Sequence, residues 1–253
     1  MKHIKRKFLK EFKLPDDGYE FVADQITKAP KNIKINLKDS TAYAITTEKS
    51  MIQCFIYNLE GKNYLIPEPD PILIYFSNAQ GFLTSIESYR DKLFIELKKP
   101  VYEIGDVLNI MFAFYGVVTS FASSLSNSIE AFVNSKIPKN FTIDNPDRRG
   151  KKMDKYQIIR YLSLENKLKY ALNVITEKNF LGSHHYEQIK RLATLRNDIT
   201  HAKADINHDV NYYEKLYCDA LNFDYSIALQ AGKEMINFYN PSLIEPCDCG
   251  GEH

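Results

Sequence analysis

The 253-residue chain is short of several things, and each shortage excludes a class of protein. Its four cysteines, Cys54, Cys218, Cys247 and Cys249, are too few and too scattered for a secreted disulfide framework. Charge of one sign is not in excess. Lys and Arg number 33 against 32 Asp and Glu, so no global field draws the chain onto nucleic acid or a membrane, and any RNA contact must come from local basic patches. The longest apolar run, near Val107 to Val118, is interrupted by Asn109 and falls short of a membrane span. The basic start has neither an apolar segment nor a cleavage site, so no signal peptide is expected. These readings lead to a soluble, cytoplasmic protein with no membrane partner. No series of carboxylates suggests a Mg²⁺ site and no P-loop is present, so no cofactor is expected.

What is present is helical periodicity. Residues 1–14 carry Ile4, Phe8 and Phe12 four apart among Lys2, Lys5, Arg6, Lys7, Lys10 and Lys13, which predicts a short basic amphipathic helix. Residues 19–38 give mixed signals and read mostly as loop. Asp39-Ser40 then suits the cap of a helix running to Leu59, with Met51, Ile52, Phe55, Ile56 and Leu59 at helical spacing. That segment is also rich in Thr, Ile, Tyr and Phe, which suit strands. From Tyr64 to Pro71, three prolines make a stiff extended connection.

Two long helices follow, over about 72–99 and 105–136, ended by Pro100 and Pro138. The second is dense in small polar residues from Thr119 to Ser128, which suits either close helix packing or the wall of a polar cavity. Asn127, Glu130 and Asn134, at three- and four-residue steps, are candidates for such a wall. A polar loop over 137–154 holds Arg148, Arg149, Lys151 and Lys152, the densest basic cluster and a candidate phosphate-binding patch. Further helices are expected over 154–181, 184–204 and 207–239, with Leu162, Leu168, Leu192, Leu195, Ile199 and Leu221 in the core. Cys247, Cys249 and His253 in the tail fall short of the four ligands that structural zinc wants, so a flexible terminus is the expectation there.

The most informative stretch is His184–Ala204, whose apolar stripe Ile189, Leu192, Leu195 and Ile199 carries Arg196-Asn197 and then His201. At 3.6 residues per turn Asn197 and His201 stack on one face, and the long side chain of Arg196 can reach over. An imidazole that titrates near neutrality and a guanidinium fork that fits phosphate oxygens suit chemistry on a phosphodiester.

This arginine, polar residue and histidine, following a helix that ends Ser128-Ile129-Glu130-Ala131-Phe132-Val133-Asn134, resemble the HEPN superfamily over roughly residues 72–240. The resemblance implies an all-α fold, a HEPN-like helical bundle over 72–240 with an N-terminal extension of uncertain structure over 1–71 and a tail over 241–253. It also implies a homodimer that brings two motif copies together across a two-fold cleft. Many members are metal-independent endoribonucleases of toxin–antitoxin, phage-defence or RNA-processing systems, with an antitoxin or nucleotidyltransferase as a separate partner chain. Others are non-catalytic RNA-, nucleotide- or protein-binding modules. On the ribonuclease reading Arg196, Asn197 and His201 are the catalytic residues.

Overall fold

A computed structural model describes residues 3–13, 42–46, 50–145, 150–201 and 210–248. The chain divides into two units, one of Arg6–Pro71 and one of Met1–Lys5 with Ile72–His253. The fold is mostly helical, but it is not all-α, because the first unit is built on a sheet.

That sheet replaces both helices expected near the N-terminus. Strands β1 (Glu11–Lys13), β2 (Ala42–Ile45) and β4 (Lys62–Pro67) all pair antiparallel with β3 (Ser50–Leu59). The apolar residues of β3 satisfy a period of two as well as one of 3.6. Ser50, Ile52 and Cys54 are buried, while Phe55, Tyr57 and Leu59 are exposed. Its β-branched and aromatic content settles the choice in favour of strand. The turn into β4 uses Glu60 (φ 53°) and Gly61 (φ 78°), both left-handed, as a two-residue hairpin loop requires. The Gly61 N–H donates to Asn58 Oδ1 at 3.3 Å. Residues 64–67, expected as an unpaired connection, are therefore the second arm of a hairpin. The expected loop over 19–38 lies outside the described residues.

In the second unit the long periodic segments form as expected. Helix α1 is Pro71–Leu97 and α2 is Ile104–Lys136, with the Ser128 hydroxyl donating to the Ile72 carbonyl oxygen at 2.8 Å. A two-stranded hairpin, β5 (Ile143–Asp144) and β6 (Lys152–Met153), spans the polar loop. The helix expected over 154–181 is broken. Asp154 caps α3 (Lys155–Tyr161) through a capping box with Gln157, and Ser163 caps α4 (Leu164–Lys167). One wide turn follows over Leu168–Leu172, where Asn173 N–H reaches back five residues to the Leu168 carbonyl oxygen, and α5 (Asn173–Thr176) completes the segment. Helix α6 (His184–Thr200) carries the motif. The last expected helix is two, α7 (Val210–Asn222) and α8 (Tyr225–Tyr239), because Asp224 leaves the helix to cap α8, accepting from Ile227 N–H at 2.9 Å.

Helix α6 packs on α2 and α8, and α2 packs on α8. The main core contains Phe76, Phe114, Phe121, Leu125, Phe132, Leu168, Leu192, Leu195 and Met235, with Ile199 and Leu221 against its edge. Leu162 belongs to a smaller cluster with Ile137, Met153, Ile158 and Ala171. Gly232 lets α8 approach α2, since a Cβ there would lie 2.8 Å from Leu125 Cδ1. The tail is tied down as far as Asp248: Ile4 bridges Pro246, and the Lys5 ammonium pairs with Glu245 at 3.3 Å and Asp248 at 3.2 Å.

Candidate functional site

Ser183 starts α6 by accepting a hydrogen bond from the His185 N–H at 3.2 Å. The buried stripe Ile189, Leu192 and Leu195 then fixes the helix's rotation and turns Lys190, Ala193, Arg196 and Asn197 to one side. That side opens on a cavity of about 470 Å³ between α6, the end of α2 and the α4 segment. Arg196 is half-buried and Asn197 exposed, and Arg196 Nη1 donates to Asn197 Oδ1 at 3.2 Å. The guanidinium is thus held beside the amide, both on the cavity wall.

His201 does not line the cavity. It is exposed and terminates the helix with φ −109° and ψ 29°, its N–H donating to the Asn197 carbonyl oxygen at 2.8 Å. The helix expected to reach Ala204 is described to Thr200, and residues 202–209 lie outside the described residues.

Of the candidate wall residues, Glu130 lines the cavity. Asn127 is exposed on α2 and does not. Asn134 is half-buried, with Oδ1 out of solvent and without a hydrogen-bond partner. Of the basic cluster, the described Lys151 and Lys152 do not line the cavity either. Lys151 and Lys152 are exposed on the β5–β6 hairpin, and Arg148 and Arg149 lie outside the described residues. Of the tail candidates, Cys249 and His253 also lie outside them. Among the described residues, no three His, Cys, Asp or Glu side chains cluster as a metal ion would require.

Three further residues give the cavity its character, and spacing alone did not point to them. Lys167, only 2% exposed, sits with its Nζ 3.5 Å from a carboxylate oxygen of Glu130, so a buried cation backs one carboxylate of the cavity wall. Tyr186 lines the cavity with its hydroxyl buried and without a hydrogen-bond partner. Burial first, and then the Glu165 and Glu187 carboxylates, push its phenol up to about 12, so it stays a proton donor at neutral pH. Glu165 lines the same wall. The wide turn at Leu168 adjoins Lys167 and offsets this segment from regular helix, the kind of irregularity that recurs at functional sites. Its signal in the sequence was only a lysine, Lys167, at an apolar position beside Leu168.

Lined by Arg196 and Lys190 together with Glu130 and Glu165, the cavity is polar and of mixed sign. It offers a fixed cation, an amide and a phenol to a ligand. Comparison with models of known protein families, with curated proteins and with solved structures finds no match.

Proposed function

We propose that this chain is a metal-independent endoribonuclease of HEPN type, acting as a homodimer on RNA, with Arg196, Asn197 and His201 as its working residues. The observation that carries the reading is the pairing of Arg196 with Asn197 on the wall of an open polar cavity, one turn before an exposed histidine. RNA supplies its own nucleophile. The 2′-oxygen loses its proton and bonds to phosphorus while the bond to the 5′-oxygen breaks, and a proton passes to that leaving oxygen. The products are a 2′,3′-cyclic phosphate and a 5′-hydroxyl. His201 suits the proton transfers, and two copies in a dimer divide the acid and base duties. Arg196 stabilises charge on the phosphate oxygens through its planar fork. Asn197 orients the phosphate. The reading brings with it a cytoplasmic setting and an antitoxin or nucleotidyltransferase as partner.

A second reading has an observation of its own: His201 stands outside the cavity that holds Arg196 and Asn197. On that reading the chain is a non-catalytic module binding RNA, a nucleotide or a protein. Incubation of the purified chain with mixed RNAs in EDTA separates the two. The ribonuclease cleaves, and a folded His201→Ala variant does not. If RNA is retained on the protein but left intact, the binding module stands and the ribonuclease falls.

A further inference from the structure

Helix α2 carries an apolar surface that its own chain does not cover. Phe112 is 76% exposed and Leu108 50%, and the neighbouring hairpin end adds Ile95 at 64% and Val101 at 82%. Taking roughly 150–250 Å² for a large side chain, these four side chains leave roughly 400–700 Å² of apolar surface in solvent. That reaches the upper end of the ~300–600 Å² of the largest patch on an ordinary monomer, a size at which such patches are often interaction sites.

The exposed lane continues along α2 but changes character. Spacings of three and four residues place Gly105, Leu108, Phe112, Gly116, Ser120 and Ser123 along one side, and each is exposed or half-buried. Both glycines of the helix are on it. A Cβ at Gly105 or Gly116 would meet nothing within 4 Å, so the chain's own packing gives no reason for glycine at positions where it weakens a helix. The Ser120 hydroxyl donates to the Gly116 carbonyl oxygen at 2.9 Å, so covering it strands no donor.

We propose that a second copy of this chain covers the lane, with the two α2 helices antiparallel about a two-fold axis at the level of Phe114. An isologous contact requires each residue to meet its counterpart in both directions. In this register Phe112 falls against Gly116, Leu108 against Ser120, and Gly105 against Ser123, so bulky side chains face small ones and the glycines admit the second helix. Charge agrees as well. α2 has no charged residue between Asp106 and Glu130, so symmetry sets no like charges against each other along the contact. A bilayer is the competing occupant, because α2 is long and apolar enough to span one. The burial of the helix from Phe114 to Val133 favours the second copy.

This contact goes beyond the ribonuclease reading and does not rest on it. At 1.5 Å per residue it leaves the two motif cavities roughly 40 Å apart. A chain that also pairs its His201 residues would therefore use a second, distinct two-fold contact and form a tetramer.

The test is thiol cross-linking of the full chain in a Cys218→Ser background, which removes the exposed native thiol. Gly105→Cys and Ser123→Cys in one chain should give a covalent dimer with a short bifunctional thiol reagent. Within one helix the two positions stand roughly 27 Å apart and cannot be bridged. Each single variant should give none. In light scattering, Gly116→Leu should raise the dissociation constant at least tenfold, with far-UV circular dichroism and melting held, since its own chain leaves that space open. Failure of the double variant to cross-link overturns the proposal. So does cross-linking by either single variant, or a monomeric wild type that binds phosphatidylcholine vesicles. Abolished RNA cleavage in His201→Ala with cross-linking intact would keep the two proposals apart.

Discussion

Helix α2 buries Phe114, Phe121, Leu125 and Phe132 completely, whereas nearer its start Leu108 and Phe112 stand in solvent. Both halves carry the same residue types at the same spacing. The difference is the cover. The buried residues of α2 run from Phe114 to Val133, where the helix packs into the core with α6 and α8, and its first turns are uncovered. Apolar spacing alone thus does not say which part of a helix its own chain covers, and only burial tells the two halves apart.

The largest test of that contrast is truncation in each half. Phe121→Ala opens a cavity in the main core and should cost about 3–5 kcal/mol, read as a lower midpoint in urea. Phe112→Ala should leave the midpoint of the isolated chain nearly unchanged. Equal losses would erase the distinction.

The glycines give a finer comparison. Gly232→Ala drives a methyl group into Leu125 and should destabilise by about 1–3 kcal/mol. Gly116→Ala, with open space beside it, should be neutral or stabilise the single chain by up to ~1 kcal/mol. Thermal melts at low protein concentration check both signs.

A smaller effect is expected at the cavity. The Tyr186 phenol sits at about 12, above its usual 10, so the stability it lends is complete below pH 10 and is lost as pH climbs toward 12. Burial raises Tyr225 too, so both groups weaken the fold in the same alkaline direction. Tyr186→Phe should flatten the alkaline decline by roughly 1 kcal/mol. An unchanged slope between pH 10 and 12 would mean that the hydroxyl has solvent or a partner.

How far the sequence could be read depended on what its periodicity left undecided. The stripes of α1, α2 and α6 are long enough that only a helix satisfies them, and Pro100 and Pro138 punctuate them. The segment 50–59 is ambiguous because Ile52, Cys54 and Ile56 suit a period of two while Ile52, Ile56 and Leu59 suit helical steps. Its strand-forming composition and the Glu60-Gly61 turn were the better guides. Ser163 and Asp224 read as interior positions of long helices, although each is a good capping residue and each marks a break. At the site, helical spacing sets Asn197 and His201 on one face with Arg196 reaching over, whereas Arg196 and Asn197 line the cavity and His201, at the helix end, does not. Lys167 and Tyr186 could not be found from spacing, because their role comes from burial against Glu130 and Glu165 across separate elements.

The measurement that bears most directly on function is the chemistry of the RNA ends in EDTA, with wild type, Arg196→Lys and His201→Ala compared at equal folded concentration. The account expects 2′,3′-cyclic phosphate ends from wild type, none from His201→Ala, and at least tenfold slower cleavage from Arg196→Lys because lysine lacks the planar fork. Cleavage that stops with chelator, or that continues undiminished in His201→Ala, would contradict it.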